Sequence, residues 1–155
     1  MVKVVFLDTS ALIKRCVEEK QSDQLARLIE TEEKPDLFIA MITQAELYSA
    51  IMRRVREGSI DVSKLSDFET VFNSHNETEY NVVSTNQNVI NQSCDLLKKY
   101  PLRAADAIQL SSALVAKRRV VKRFTQDFEF VCADKRLIEA ATREKLNVVN
   151  LLNET

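Results

Sequence analysis

Four carboxylates, Asp8, Glu46, Asp106 and Asp134, recur in one kind of setting along the chain. Asp8 ends the apolar run Val4-Val5-Phe6-Leu7 and precedes Thr9-Ser10, and Asp134 follows Phe128-Glu129-Phe130-Val131-Cys132-Ala133 and precedes a helical pattern. Glu46 and Asp106 fall in or beside the first turn of a helix. Singly, each acid is explained as a helix cap, since an Asp N-cap contributes about 1 kcal/mol and first-turn acids gain a few tenths more from the helix dipole. Jointly they say more. In a parallel α/β sheet the carboxyl ends of the strands and the amino ends of the following helices share one edge, where ligands collect. Acids converging there repel and raise one another's pKa, which capping does not explain and a divalent cation would offset. Oxygen donors without His or Cys suit Mg²⁺ or Mn²⁺ rather than Zn²⁺, and such ions keep waters that serve as nucleophiles.

The rest of the composition removes the other common chemistries. Gly58 is the only glycine, so neither a phosphate-cradling loop nor a dinucleotide fingerprint is present. The single histidine, His75, lies in Asn73-Ser74-His75-Asn76-Glu77, a stretch that reads as a solvated loop or helix end, and it leaves no credible Ser-His or Cys-His pair. Cys16, Cys94 and Cys132 are odd in number and widely spaced, as reduced thiols of a cytosolic protein are. The net charge of −1 provides no overall basic field, so nucleic-acid affinity would need local cationic patches. The apolar run before Asp8 is too short for a secretory signal, and no stretch has the roughly 18 apolar residues of a membrane span, so the expected compartment is the cytoplasm.

The elements that would position these acids follow from periodicity. A chain of 155 residues, 45% apolar and 29% charged, fits one globular domain over 1–155. Strands are expected at Val4–Leu7, Asp36–Met41, Tyr80–Ser84, Phe128–Ala133 and Asn147–Leu151. Helices are expected at Ser10–Glu19, Gln24–Glu32 behind a Ser22-Asp23 cap, Thr43–Glu57 ending at Gly58, Val62–Ser74, a stretch from Thr85 or Asn86 to Tyr100, an alanine-rich stretch after Arg103, and Lys135–Lys145. Thr43 and Glu46 have the spacing of a capping box. Strands alternating with helices predict an α/β fold with a parallel sheet. The alanine-rich helix exits through Lys117-Arg118-Arg119-Val120-Val121-Lys122-Arg123, five cations in seven residues.

Four segments carry a family likeness: Asp8-Thr9-Ser10-Ala11-Leu12, Thr43-Gln44-Ala45-Glu46-Leu47, Leu102-Arg103-Ala104-Ala105-Asp106-Ala107-Ile108, and Phe130-Val131-Cys132-Ala133-Asp134-Lys135-Arg136-Leu137. In order and spacing they resemble the four blocks of the PIN-domain ribonucleases, especially the VapC-type toxins of type II toxin–antitoxin pairs. The resemblance spans essentially the whole chain. It implies a PIN-like three-layer α/β/α fold with a central parallel sheet of about five strands, and Mg²⁺- or Mn²⁺-dependent endonucleolytic cleavage of RNA. Asp8, Glu46, Asp106 and Asp134 would be the catalytic, metal-binding acids, with Thr9 and Ser10 supporting them. At Cys132 the family pattern has Ser or Thr, and a thiol is a weaker donor and a poorer partner for a hard cation.

The same resemblance implies a homodimer and a cognate antitoxin that covers the cleft. For the RNA backbone, Arg103, Lys14 and Arg15 adjoin the acidic motifs, Arg103 one helical turn before Asp106, and the 117–123 cluster could extend the track. Two other readings share these residues: a PIN-like module that binds RNA or protein without cutting, and a housekeeping RNA-processing nuclease. An aspartyl-phosphate hydrolase would want a second Asp two residues after Asp8, where Ser10 stands.

Overall fold

The computed structural model describes residues 2–121 and 127–152. Five strands, β1 (Val4–Leu7), β2 (Asp36–Ala40), β3 (Tyr80–Val83), β4 (Phe128–Cys132) and β5 (Asn147–Asn150), form one sheet in the order β3-β2-β1-β4-β5. Every neighbouring pair is parallel. The helices are α1 (Thr9–Cys16), α2 (Ser22–Ile29), α3 (Thr43–Glu57), α4 (Leu65–Thr78), α5 (Gln87–Lys99), α6 (Ala104–Val121) and α7 (Lys135–Arg143), with a 3-10 turn at Val62–Lys64 before α4.

β1 is central and buried along its whole length, and its alternation divides the interior in two. Val5 and Leu7 point to a core shared with Leu12, Leu25, Leu47, Ile51 and Phe72, under α1 to α4. Val4 and Phe6 point to a second core with Leu96, Leu110, Phe130 and Leu137, under α5 to α7, where the Phe6 and Phe130 rings stack at 5.8 Å. This is the expected α/β/α sandwich, and each fully buried side chain of this size stabilises it by about 1.5–3 kcal/mol.

Local chemistry sets the ends. Gly58 takes φ 81°, and its N–H reaches back to the carbonyls of Arg54 and Val55 to close α3. Asn86 caps α5, accepting from Val89 N–H. Elsewhere the boundaries move. The expected cap of α2 is absent: Gln21, at φ 70°, precedes the helix, and the Ser22 hydroxyl instead accepts from Glu19 N–H and donates to the Val17 carbonyl. α7 stops at Arg143 because Lys145 turns to φ 65°. α6 continues to Val121, so most of the basic cluster is helix rather than an exit loop, while Lys122 and Arg123 lie outside the described residues.

Candidate functional site

Parallel strands put the carboxyl ends of β1 and β4 side by side, so the first residues beyond them meet at one edge. Asp8 and Asp134 occupy those positions and do cap the following helices, Asp8 accepting from Ser10 N–H and Asp134 from Leu137 N–H. Glu46 arrives on the first turn of α3 and Asp106 on the first turn of α6. All four line one cleft of about 620 Å³. A second hollow shares Glu46, Arg103, Asp106 and Asp134 and continues toward Lys135 and Arg136.

Asp8 is buried, and everything that holds it acts on one oxygen. Oδ2 accepts from the Ser10 N–H at 3.2 Å, from the Ser10 hydroxyl, and from the Cys132 thiol at 3.4 Å. Ser10 Oγ in turn accepts from Ala133 N–H at 2.9 Å, stitching the first turn of α1 to the end of β4. Glu46 is held likewise through Oε1, by the Thr9 hydroxyl at 2.9 Å and by Gln109 Nε2 at 2.7 Å. Asp134 commits Oδ1 to its cap at 3.0 Å. Among the described residues no donor reaches Asp8 Oδ1, Glu46 Oε2 or Asp134 Oδ2.

The electrostatics follow from burial first and from neighbouring charges second. Burial pushes the Asp8 carboxyl up to about 6, the Ser10 hydroxyl opposes that, and the charge of Glu46 adds to it. Asp106, half-buried, is raised by desolvation and then by Asp134, against the Arg103 backbone. Burial and the neighbouring Asp8 push the Cys132 thiol up, so it is a neutral donor here and no nucleophile.

The four acids face one cleft without closing into a cage. Among the described residues no three His, Cys, Asp or Glu side chains gather closely enough to enclose an ion. Asp8 is held back by Ser10 and Cys132, and Asp134 is turned to its cap. The donor set still fits Mg²⁺ or Mn²⁺, which demand hard oxygens and commonly take only one or two carboxylates beside several waters. The raised carboxyls of Asp8 and Asp106 mark where added positive charge would be most welcome.

Among the cations expected to meet RNA, Arg103 is exposed at the cleft. Lys14 reaches its wall, but buried, with Nζ donating to Glu19 at 3.2 Å and to the Lys20 carbonyl at 2.8 Å. Arg15 is turned elsewhere. It pairs with Glu79 at 2.6 Å, donates to the Tyr80 hydroxyl at 2.9 Å and lies over the Tyr80 ring, because α1 runs antiparallel to β1 and carries it to the opposite edge of the sheet. Lys117 and Arg118, some 11 residues beyond Asp106, lie roughly 16 Å farther along α6 and bond to the Lys145 carbonyl and to Gln92.

The Thr43–Glu46 capping box does not form. Ile42 precedes α3 without a side-chain cap, and Thr43 Oγ1 and Glu46 Oε1 both accept from Gln109. Sequence reasoning missed Gln109, and it missed Arg53 and Arg54, which line the cleft from α3. Their signal is available: Arg53 follows Glu46 by seven residues, two turns along one helix face. Arg54 is engaged by Glu19 at 2.8 Å, whereas Arg53 is exposed and has no ion pair among the described residues.

Comparison with known proteins agrees with this architecture. The family model described as PIN domain matches residues 5–143. No curated protein matches the chain. Among solved structures, PAE2754 from Pyrobaculum aerophilum is 20% identical with a TM-score of 0.63, covering 97% of this chain and 91% of that one. A toxin–antitoxin complex from Klebsiella pneumoniae is 18% identical with a TM-score of 0.57, covering 97% and 99%. VapBC2 from Rickettsia felis, bound to a DNA fragment from its promoter, is 13% identical with a TM-score of 0.60, covering 95% and 98%. At these identities the likeness concerns the fold.

Proposed function

Because the chain belongs to the PIN-domain family, whose pattern covers residues 5–143 of it, we propose that it is a Mg²⁺- or Mn²⁺-dependent endoribonuclease and the toxin member of a toxin–antitoxin pair. One observation carries the reading. Asp8, Glu46 and Asp134 each spend one carboxylate oxygen on their own placement and keep the other unengaged beside a common cleft. Capping alone would not need three such half-engaged acids around one space.

Bound there, the ion would supply positive charge to phosphate oxygens and acidify a water. The chain's own residues do the rest. Arg103 and Arg53 flank the acids and hold phosphates on either side of the scissile one. Asp106 takes the proton of the attacking water: it lines the cleft half-buried, and desolvation and the neighbouring Asp134 raise its affinity for a proton, against the Arg103 backbone N–H that it accepts. Ser10 and Cys132 keep Asp8 from swinging during the reaction. Among the described residues no helix is long and apolar enough to cross a membrane.

The neighbour from Klebsiella is a toxin–antitoxin complex and that from Rickettsia is VapBC2, which supports an antitoxin as partner of this chain; that it covers the cleft, and that the toxin is a homodimer, are what the family resemblance implies. Labelled structured RNAs incubated with Mn²⁺, with chelator, and with Asp8→Asn test the activity. Metal-dependent scission lost in the variant is expected. The rival reading, a PIN-like module that binds without cutting, rests on Cys132, whose thiol is a poorer partner for a hard cation than a hydroxyl. Binding that survives chelation without products would establish it instead. A small DNA-binding protein encoded beside this chain is expected if it is a toxin, and its absence would favour a housekeeping nuclease.

A further inference from the structure

We propose that Gln109 is the positioning residue of the site, holding Glu46 in the orientation that metal binding requires. This rests on the metal-dependent reading above and names a residue it did not use. Gln109 lies one turn after Asp106 on α6, so the same helix that presents one acid to the cleft sends an amide to a second. It is fully buried. Its Nε2 lies 2.7 Å from Glu46 Oε1, 2.9 Å from Thr9 Oγ1 and 2.9 Å from Thr43 Oγ1, joining α1, α3 and α6 at one atom.

Chemistry fixes which end of the amide faces the acid. An ionised carboxylate only accepts, so the NH₂ group must point at Glu46, and the amide oxygen would be repelled there. The opposite end shows what this costs, because Gln109 Oε1 is buried with no partner among the described residues. A methionine or leucine of similar size would leave nothing unsatisfied at that position. The donors delivered to Oε1 by Gln109 and Thr9 leave Oε2 as the one atom of Glu46 with no protein bond, which is the division of labour expected of a group that orients a ligand from behind.

The test is Mn²⁺ affinity by titration calorimetry on the full chain, alongside cleavage. Gln109→Met keeps volume and removes both donors, and its affinity is expected to fall about 10- to 100-fold, the usual effect of losing such a supporting bond. Acting through Glu46, it should add less than about twofold to the loss already seen in Glu46→Gln when the two are combined. If Gln109→Met does not fold, Thr9→Val removes the other donor to Oε1 and should show the same loss and the same non-additivity. Wild-type Mn²⁺ affinity in Gln109→Met, or losses that multiply in the double variant, would overturn the proposal while leaving the metal reading intact. Wild-type protein that binds no Mn²⁺, or Asp8→Asn and Glu46→Gln that bind it normally, would overturn both.

Discussion

The Cys132 thiol donates to Asp8, Sγ lying 3.4 Å from Oδ2 across the junction of β4 and β1. The bond favours the ionised carboxylate, against the burial that pushes Asp8 up. Cys132→Ala should therefore raise the pH at which Mn²⁺ affinity falls to half, and Cys132→Ser, with the stronger hydroxyl donor, should lower it. Calorimetric titration between pH 5 and 8 reads both. Identical midpoints in all three proteins would show that the thiol is a packing group only.

Asp8 makes the metal-free protein less stable at neutral pH. Its folded pKa, about 6, lies above the ordinary 3.8, so the folded state binds more protons between those values. The stability it contributes is complete below pH 4, falls as pH rises, and is gone above about 6, a difference of ~3 kcal/mol. Asp8→Asn, which can still accept from Ser10 N–H, should melt higher than wild type at pH 7.5 in chelator and near it at pH 4. An equal or lower melting temperature at pH 7.5 would contradict the assignment.

Divalent metal should reverse that penalty. At one hundred times its Kd a ligand of the folded state contributes about 2.7 kcal/mol, and each kcal/mol moves the melting temperature of a domain this size by roughly 2–4 °C. Millimolar Mn²⁺ should raise it at pH 7.5, less at pH 5 and not at all in Asp8→Asn. Scanning fluorimetry with and without chelator decides this, and an unchanged curve at pH 7.5 speaks against a formed site.

Arg15 and Arg103 should separate stability from binding. Arg15→Ala leaves Glu79 and the Tyr80 hydroxyl without their cation, at about 2 kcal/mol, and should lower the melting temperature while the folded fraction binds RNA normally. Arg103→Ala should leave melting unchanged, weaken RNA binding and reduce the salt dependence by about one phosphate contact. Filter binding at several salt concentrations distinguishes them, and the reverse pattern would exchange their roles.

The legible parts of the sequence were those where local chemistry and position coincide. Asp8 and Asp134 follow strongly apolar runs and precede helical patterns, so both the strand and the edge were readable from a few neighbours. The five strands and their parallel arrangement followed from the same alternation. Thr43 and Glu46 misled because a capping box is a local competitor, and the amide of Gln109, 66 residues away from Thr43, supplies a bond that no spacing rule contains. Arg15 misled because nearness to a motif along the chain is not nearness in space: two helical turns separate it from Asp8, about 10 Å. Gln109 itself gave only one hint, a lone amide in an alanine-rich helix one turn from an acid.

The half-engaged carboxylates also bear on how such a protein can change over time. An amide at Asp8 or Asp134 could still accept the helix N–H that each acid now receives, so the scaffold would survive a replacement that silences its chemistry. A folded, inert descendant therefore lies a single codon from the active form, and lineages built on this arrangement can abandon cutting without first losing their shape.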